Sequence, residues 1–147
     1  MDIKLSSLAE SGLGMHQLIR DYWTADVQGG MPPLKMDWSY YGDLEKLGRL
    51  VIITAREDYD LLGFAMYLLS NHPQHGGMPI AFCNTLAVDT KHRGKGIGRQ
   101  LVQAAEAYLR GTDVKMMFHG YRTVYDAEPL FPKLGFDLIE HIYMKVL

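Results

Sequence analysis

Three glycines in alternation, crowded by cations, constrain this chain more than any other feature. They lie in Lys91-His92-Arg93-Gly94-Lys95-Gly96-Ile97-Gly98-Arg99. The stretch follows an apolar run, Ile80 to Val88, that reads as a strand. It opens a segment, Ile97 to Arg110, whose apolar residues recur at helical spacing. A strand-to-helix turn of this composition suits a phosphorylated ligand. Glycine lets the backbone approach closely, and a helix start offers unpaired N–H groups and the positive end of the dipole.

The rest of the composition bounds the partners. At 147 residues, the chain is expected to form one domain over residues 1–147. That length buries about two-thirds of the unfolded surface. Apolar residues make up 48% and charged residues 22%, as in an ordinary globular protein. A net charge of −2 argues against nucleic acid or an anionic membrane as a partner. The positive charge is local, at Lys91, Arg93, Lys95 and Arg99. Cys83 is the only cysteine, so an internal disulfide is excluded and a reducing compartment is favoured. Met1-Asp2-Ile3-Lys4 lacks the basic start of a signal peptide, and the longest apolar run, Leu61 to Leu69, is too short to span a bilayer. A cytoplasmic location is expected.

Local patterning predicts a mixed α/β order. Ile3 to Leu5 reads as a short strand, Leu13 to Trp23 as a helix, and Gln28 to Pro33 as a loop. Asp43 to Arg49 is expected to be a short helix capped by Asp43. Leu50 to Ala55 and Leu62 to Leu69 read as a hairpin around Glu57-Asp58-Tyr59-Asp60. Asn71 to Pro79 reads as a polar loop before the Ile80–Val88 strand. The helix after the glycines carries Ile97, Leu101, Ala104, Ala105, Tyr108 and Leu109 on one face, and Gly111 is placed to end it. Val114 to Phe118 is predicted as a strand, Ala127 to Leu134 as a short helix, and Phe136 to Val146 as a final strand region. The expected class is α/β (α+β): one mixed, twisted central sheet flanked by helices.

Two familiar phosphate loops fail on spacing. The Gly-x-Gly-x-x-Gly fingerprint meets Arg99 or Leu101 where its third glycine belongs, and no Gly-Lys-Ser/Thr is present. What remains is Arg93-x-x-Gly96-x-Gly98 behind a strand ending Leu86-Ala87-Val88. The plain alternative is a tight turn with solvated charges.

The run from Leu86-Ala87-Val88-Asp89 through Arg93-Gly94-Lys95-Gly96-Ile97-Gly98 to Leu101-Val102 closely resembles the acetyl-CoA-binding motif of the GNAT superfamily of N-acetyltransferases. Leu130-Phe131-Pro132-Lys133-Leu134-Gly135-Phe136 resembles its second signature, and Leu62-Gly63-Phe64 looks like the start of its third strand. The short C-terminus, Glu140 to Leu147, resembles compact members carried by bacteriophages. The resemblance spans roughly residues 50 to 147.

The resemblance implies roles. Backbone N–H groups of Arg93, Gly94, Lys95, Gly96, Ile97 and Gly98 would cradle the CoA pyrophosphate. Leu86, Ala87 and Val88 would pair with the pantetheine arm, and an N–H of Ala87 or Val88 would face the thioester carbonyl. Lys91, Lys95 or Arg99 would reach the 3′-phosphate. Many members carry a tyrosine, the acid for the leaving thiolate, where this chain has Phe131. Tyr125 and Tyr121 lie nearby as substitutes. Asn84 on the strand, and Glu128, Asp126 and His119 across the cleft, are candidates for the amine's proton acceptor, alongside a base acting through water. Trp38, Tyr40 and Tyr41 stand in a region that commonly walls the acceptor site.

The expected activity is direct acetyl transfer from acetyl-CoA to a primary amine of a small molecule, peptide or protein lysine, with no metal. His72 and His75 lack a supporting ligand at metal spacing. The rival is a non-catalytic acyl-CoA-binding or partner-binding protein of the same fold. A homodimer is a further expectation from the resemblance.

Overall fold

The computed structural model describes residues 1–25, 32–121 and 130–147. Its elements run β1 (Asp2–Ser6), α1 (Leu8–Ala25), α2 (Trp38–Lys46), β2 (Leu50–Glu57), β3 (Asp60–His72), β4 (Met78–Val88), α3 (Ile97–Arg110), β5 (Met116–Phe118) and α4 (Leu130–Lys133). Among the described residues the strands form one five-stranded sheet in the order β1-β2-β3-β4-β5. The first four are antiparallel neighbours, and β5 joins β4 in parallel. The expected mixed sheet flanked by helices is the observed architecture.

Alternation along the strands sorts the core into two layers. Val51, Ile53, Ala55, Ala65, Tyr67, Ala81 and Cys83 bury against Ile97, Leu101, Ala105 and Leu109 of α3. Ile52, Phe64, Met66 and Ala87 bury on the other face with Met15 and Ile19 of α1, and Trp38 and Tyr41 of α2 pack beside them. Both faces of β2 and β3 are covered, which explains their nearly unbroken apolar runs. On α3 the predicted face holds, except that Tyr108 is exposed and Val102 is buried in its place.

Two helix starts differ from expectation. α1 begins at Leu8, five residues ahead of Leu13, because Ser7 and Glu10 form a capping box. The Ser7 hydroxyl accepts from the Glu10 N–H at 3.3 Å, and the Glu10 carboxylate accepts from the Ser7 N–H at 2.9 Å. α2 covers Trp38–Lys46 and is capped by Asp37, whose carboxylate accepts from the Tyr40 N–H at 3.0 Å. Asp43, the expected cap, sits inside the helix. The Gln28–Pro33 loop and the Ala127–Pro129 start of the last predicted helix lie mostly or wholly outside the described residues.

The Asn71–Pro79 connection is shorter than a free loop. β3 and β4 stay paired out to His72↔Met78 around a 3₁₀ turn, Pro73–His75, and the left-handed Gly76 and Gly77. The final strand region is not formed. Residues 136–147 carry no strand, and Leu138, Ile139, Ile142 and Tyr143 are exposed. Alternating apolar residues give a segment the capacity to pair but do not supply the neighbouring edge that makes it a strand.

Gly63 is the glycine with least room for a side chain among the described residues. A Cβ there would lie 2.8 Å from the Ala87 carbonyl oxygen. Gly63→Ala should therefore lower the unfolding free energy by about 1–3 kcal/mol, in the range of core overpacking. Gly12→Ala in α1, where a Cβ meets nothing within 4 Å, should instead raise it by about 0.5–1 kcal/mol. Urea unfolding of the two variants checks both signs.

Candidate active site

The site begins where β5 leaves β4. Their pairing consists of Ile80↔Met116, Ala81↔Met117 and Phe82↔Phe118. β4 continues to Val88, still paired with β3 as far as Gly63↔Val88. From Cys83 onward its other edge has no strand partner among the described residues. Asn84 lies at the opening of this split. Met66 pairs with Thr85 and Tyr67 with Cys83, so Asn84 is an extra, bulged residue on β4. The bulge moves Leu86 and Val88 to the α3 layer and Ala87 to the α1 layer.

The open edge leads into the glycine turn. The Asp89 N–H donates to the Leu62 carbonyl at 2.9 Å, fixing the strand end. The Asp89 carboxylate accepts from the Lys91 N–H at 2.9 Å, and Arg93 Nε donates to the Val88 carbonyl at 3.1 Å. Gly94 and Gly96 then adopt left-handed φ values of 75° and 78°, which favour glycine. Gly96 caps α3 and brings no side-chain oxygen to the helix start.

The first helical bond runs from the Gln100 N–H to the Gly96 carbonyl at 3.1 Å. The N–H groups of Ile97, Gly98 and Arg99 therefore have no acceptor within the helix. No acidic residue sits in this first turn. A Cβ at Gly98 would meet only Val88 Cγ2, at 3.9 Å, so the helix start leaves room for a ligand. Lys91, Lys95 and Arg99 are exposed around it. Unpaired N–H groups, dipole and cations coincide, which fits a phosphate-bearing group.

The structure separates the catalytic candidates. Tyr125 and Glu128, with Asp126, lie outside the described residues. Asn84 is exposed on the α1/α2 side, where its Oδ1 accepts from the Tyr41 hydroxyl at 2.9 Å. Burial holds the Tyr41 hydroxyl above its usual range, with Tyr40 and Asp37 adding to the effect, so it remains a donor. Tyr41 also meets Trp38 and Tyr40 ring to ring, at 5.9 and 6.0 Å. Phe131 is buried, its ring stacked by Tyr121 at 5.8 Å and touched by His119 at 5.2 Å.

Three groups on the α3 face carry large shifts, and burial, with Cys83 beside it, holds the Tyr67 hydroxyl far above its usual range. Burial pushes the Cys83 thiol up to about 12, so it stays protonated and unreactive at neutral pH. Burial pushes His119 down to about 4, so its imidazole is neutral. The Tyr67 hydroxyl lies 2.8 Å from His119 Nε2. This pair, and that of Tyr41 with Asn84, are invisible to local sequence patterns because tertiary packing brings their partners together from distant parts of the chain. His72 and His75 stack at 4.4 Å, and among the described residues no group of three potential metal ligands forms.

The His119 shift has a sign that can be checked. An unfolded chain protonates this histidine near 6.5 and the folded chain near 4. Between those values the unfolded state binds more protons, so stability is full above pH 6.5 and declines as pH falls toward 4. The total is on the order of 3 kcal/mol. In urea unfolding at pH 7.5, 6.0 and 4.5, the stability advantage of the native chain over His119→Phe should shrink stepwise with acidification. A constant difference would contradict the assignment.

Several solved structures of similar shape align over nearly the full chain. A ribosomal-protein-alanine N-acetyltransferase from Brucella melitensis superposes with a TM-score of 0.74 at 20% identity, covering 100% of both chains. Glucosamine-6-phosphate N-acetyltransferase from Arabidopsis thaliana gives 0.76 at 12%, covering 99% of this chain and 97% of that one. A predicted acetyltransferase from Clostridium acetobutylicum, with acetyl-CoA, gives 0.78 at 14%, covering 98% and 95%. At these identities the likeness is one of fold. No curated protein matches the chain in sequence. Residues 13–136 match the Acetyltransferase (GNAT) family, and with most of its length inside that match the chain belongs to this family of acetyltransferases.

Proposed function

We propose that this protein is an acetyl-CoA-dependent N-acetyltransferase, a single domain over residues 1–147 that passes an acetyl group directly to a primary amine. The observation that carries the reading is the continuity of the open β4 edge with the uncapped N-terminus of α3. Such a track suits an extended amide-bearing arm that ends in a pyrophosphate.

In this reading Leu86, Ala87 and Val88 hold the arm by strand-like hydrogen bonds. An N–H of Ala87 or Val88 steadies negative charge on the acyl oxygen. The backbone of Arg93 through Gly98 cradles the pyrophosphate, and Lys91, Lys95 or Arg99 meets the 3′-phosphate. When bound, acetyl-CoA supplies an activated acyl carbon and a thiolate leaving group. The α1/α2 face admits the amine past Tyr41 and Asn84. The Asn84 amide is far too weakly basic for general-base work and acts as a hydrogen-bonding wall, so the amine proton leaves through water or through Glu128. Tyr125 stands as the acid where Phe131 has no hydroxyl. Direct transfer is favoured because Cys83, the one thiol, is buried and protonated. A reducing, cytoplasmic compartment suits a chain with that single thiol, and a homodimer is part of the proposal.

The test uses Gly98→Glu. This position lies inside the helix and a Cβ there clashes with nothing. Glutamate is also a better helix former than glycine, by roughly 0.5 kcal/mol, and suits a helix start. The variant should therefore match or exceed the native chain in thermal stability while losing acetyl-CoA affinity at least a hundredfold in calorimetric titration. A screen of amines for thiol release then separates an enzyme from a binding module, which would bind acetyl-CoA and release none. No acetyl-CoA binding by the intact chain would overturn the reading.

A further inference from the structure

The bulge on β4 puts two neighbouring side chains on one face of the sheet. Cys83 and Leu86 both belong to the α3 layer. Between them, Thr85 is opposite Met66, which is buried with α1, and Asn84 is the extra residue. A regular strand would send Asn84 and Thr85 to opposite faces. Here both reach the α1/α2 side, at the opening of the β4–β5 split.

Two hydroxyls converge there on one atom. Tyr41 donates to Asn84 Oδ1 at 2.9 Å, and Thr85 donates to the same oxygen more weakly at 3.4 Å. A hydroxyl proton needs an acceptor, and an amide NH₂ group only donates. The convergence therefore fixes which end of the Asn84 amide faces Tyr41. Tyr41 is itself held by the rings of Trp38 and Tyr40, and Trp38 by His16 at 5.6 Å. A carbonyl oxygen has two lone pairs, and these two hydroxyls engage them. Asn84 thus offers the site donors alone. Its side chain is exposed, and its Nδ2–H₂ has no hydrogen-bond partner among the described residues.

We propose that Asn84 selects the acceptor: its Nδ2–H₂, turned outward by Tyr41, donates to a carbonyl or hydroxyl oxygen that the amine carries close to its nitrogen. This rests on the acetyltransferase reading above. Asn84 precedes by three or four residues the Ala87 or Val88 N–H assigned to the acyl oxygen. The oxygen it meets therefore lies a few bonds from the nitrogen that attacks the acyl carbon. An α-amino carbonyl or a vicinal amino alcohol meets that demand. A simple alkylamine leaves the amide N–H groups facing methylene. An alkylammonium also presents only donors to a group that has only donors, which selects against it. Tyr41 touches no substrate in this account and is a positioning residue.

The test is acetyl transfer to glycinamide, ethanolamine and n-propylamine by the full chain, Asn84→Asp and Tyr41→Phe. Ethanolamine and n-propylamine differ by a hydroxyl against a methyl. The readout is the preference, kcat/KM for an oxygen-bearing amine over that for n-propylamine, taken in each variant relative to the native chain. That ratio cancels the basicity of the amines and any new basicity at position 84. Asn84→Asp still accepts from Tyr41 but puts an acceptor where the donor stood, and should lower the preference about tenfold. Tyr41→Phe frees the amide to turn over and should lower it about threefold. Acetyl-CoA affinity, read by calorimetry, should stay within twofold in both. The same comparison applies to the best amine of the screen and its analogue with CH₂ for the oxygen. A preference unchanged in both variants, with all amines falling alike, would assign Tyr41 and Asn84 a structural role and overturn the proposal. A best amine without such an oxygen would also overturn it. A native chain that fails to bind acetyl-CoA, or binds it and acetylates no amine, would take down the acetyltransferase reading first and this proposal with it.

Discussion

The parallel pairing of β4 with β5 ends at Phe82↔Phe118, and among the described residues β4 beyond it keeps only β3 as a strand neighbour. That early end has identifiable causes. The bulge at Asn84 turns and twists β4 just past the last pair. On the other limb, His119 is held by Tyr67, Phe131 and Phe136. A strand edge left open inside a fold exposes backbone groups that need water or a ligand as a partner. The open edge therefore suits an extended, amide-bearing ligand before any side chain is considered, which is what the proposed function requires.

The rest of the molecule keeps that edge rigid. α3 buries five side chains on the sheet, Ile97, Leu101, Val102, Ala105 and Leu109, which sets where its N-terminus points. Gly63 lets β3 lie close against the Ala87 carbonyl. Arg93 ties the glycine turn back to Val88. On the opposite face α1 and α2 share a core with Ile52, Phe64, Met66 and Ala87, bringing Tyr41 to Asn84. In the proposed reaction the two layers serve different ends, one facing the acyl donor and one facing the amine.

How much of this the sequence disclosed depended on range. The bounds of α3 and the glycine turn were legible, because apolar spacing and glycine chemistry are local. The start of α1 is legible in principle from Ser7 and Glu10, but Gly12 and Gly14 weaken the helix pattern just after them and leave its start uncertain in the sequence. Asp37 and Asp43 are equal as local caps, and the packing of Trp38 and Tyr41 against α1 and the sheet decides for Asp37. The bulge at Asn84 carries no glycine to announce it. Tyr67 and His119 are 52 residues apart, and Tyr41 and Asn84 are 43 apart, so neither pair has a signal within any local window. The apolar tail from Phe136 shows the converse, a strand pattern without the partner that would complete it.

The central claim is that the β4 edge and the α3 start form one continuous ligand track. Amide hydrogen exchange, resolved by residue and measured with and without saturating acetyl-CoA, tests it most directly. The account predicts slowed exchange in one connected set, Leu86 to Val88 together with Ile97 to Arg99, and little change in β1 and β2. Protection confined to other elements, or absent although acetyl-CoA is bound, would contradict it.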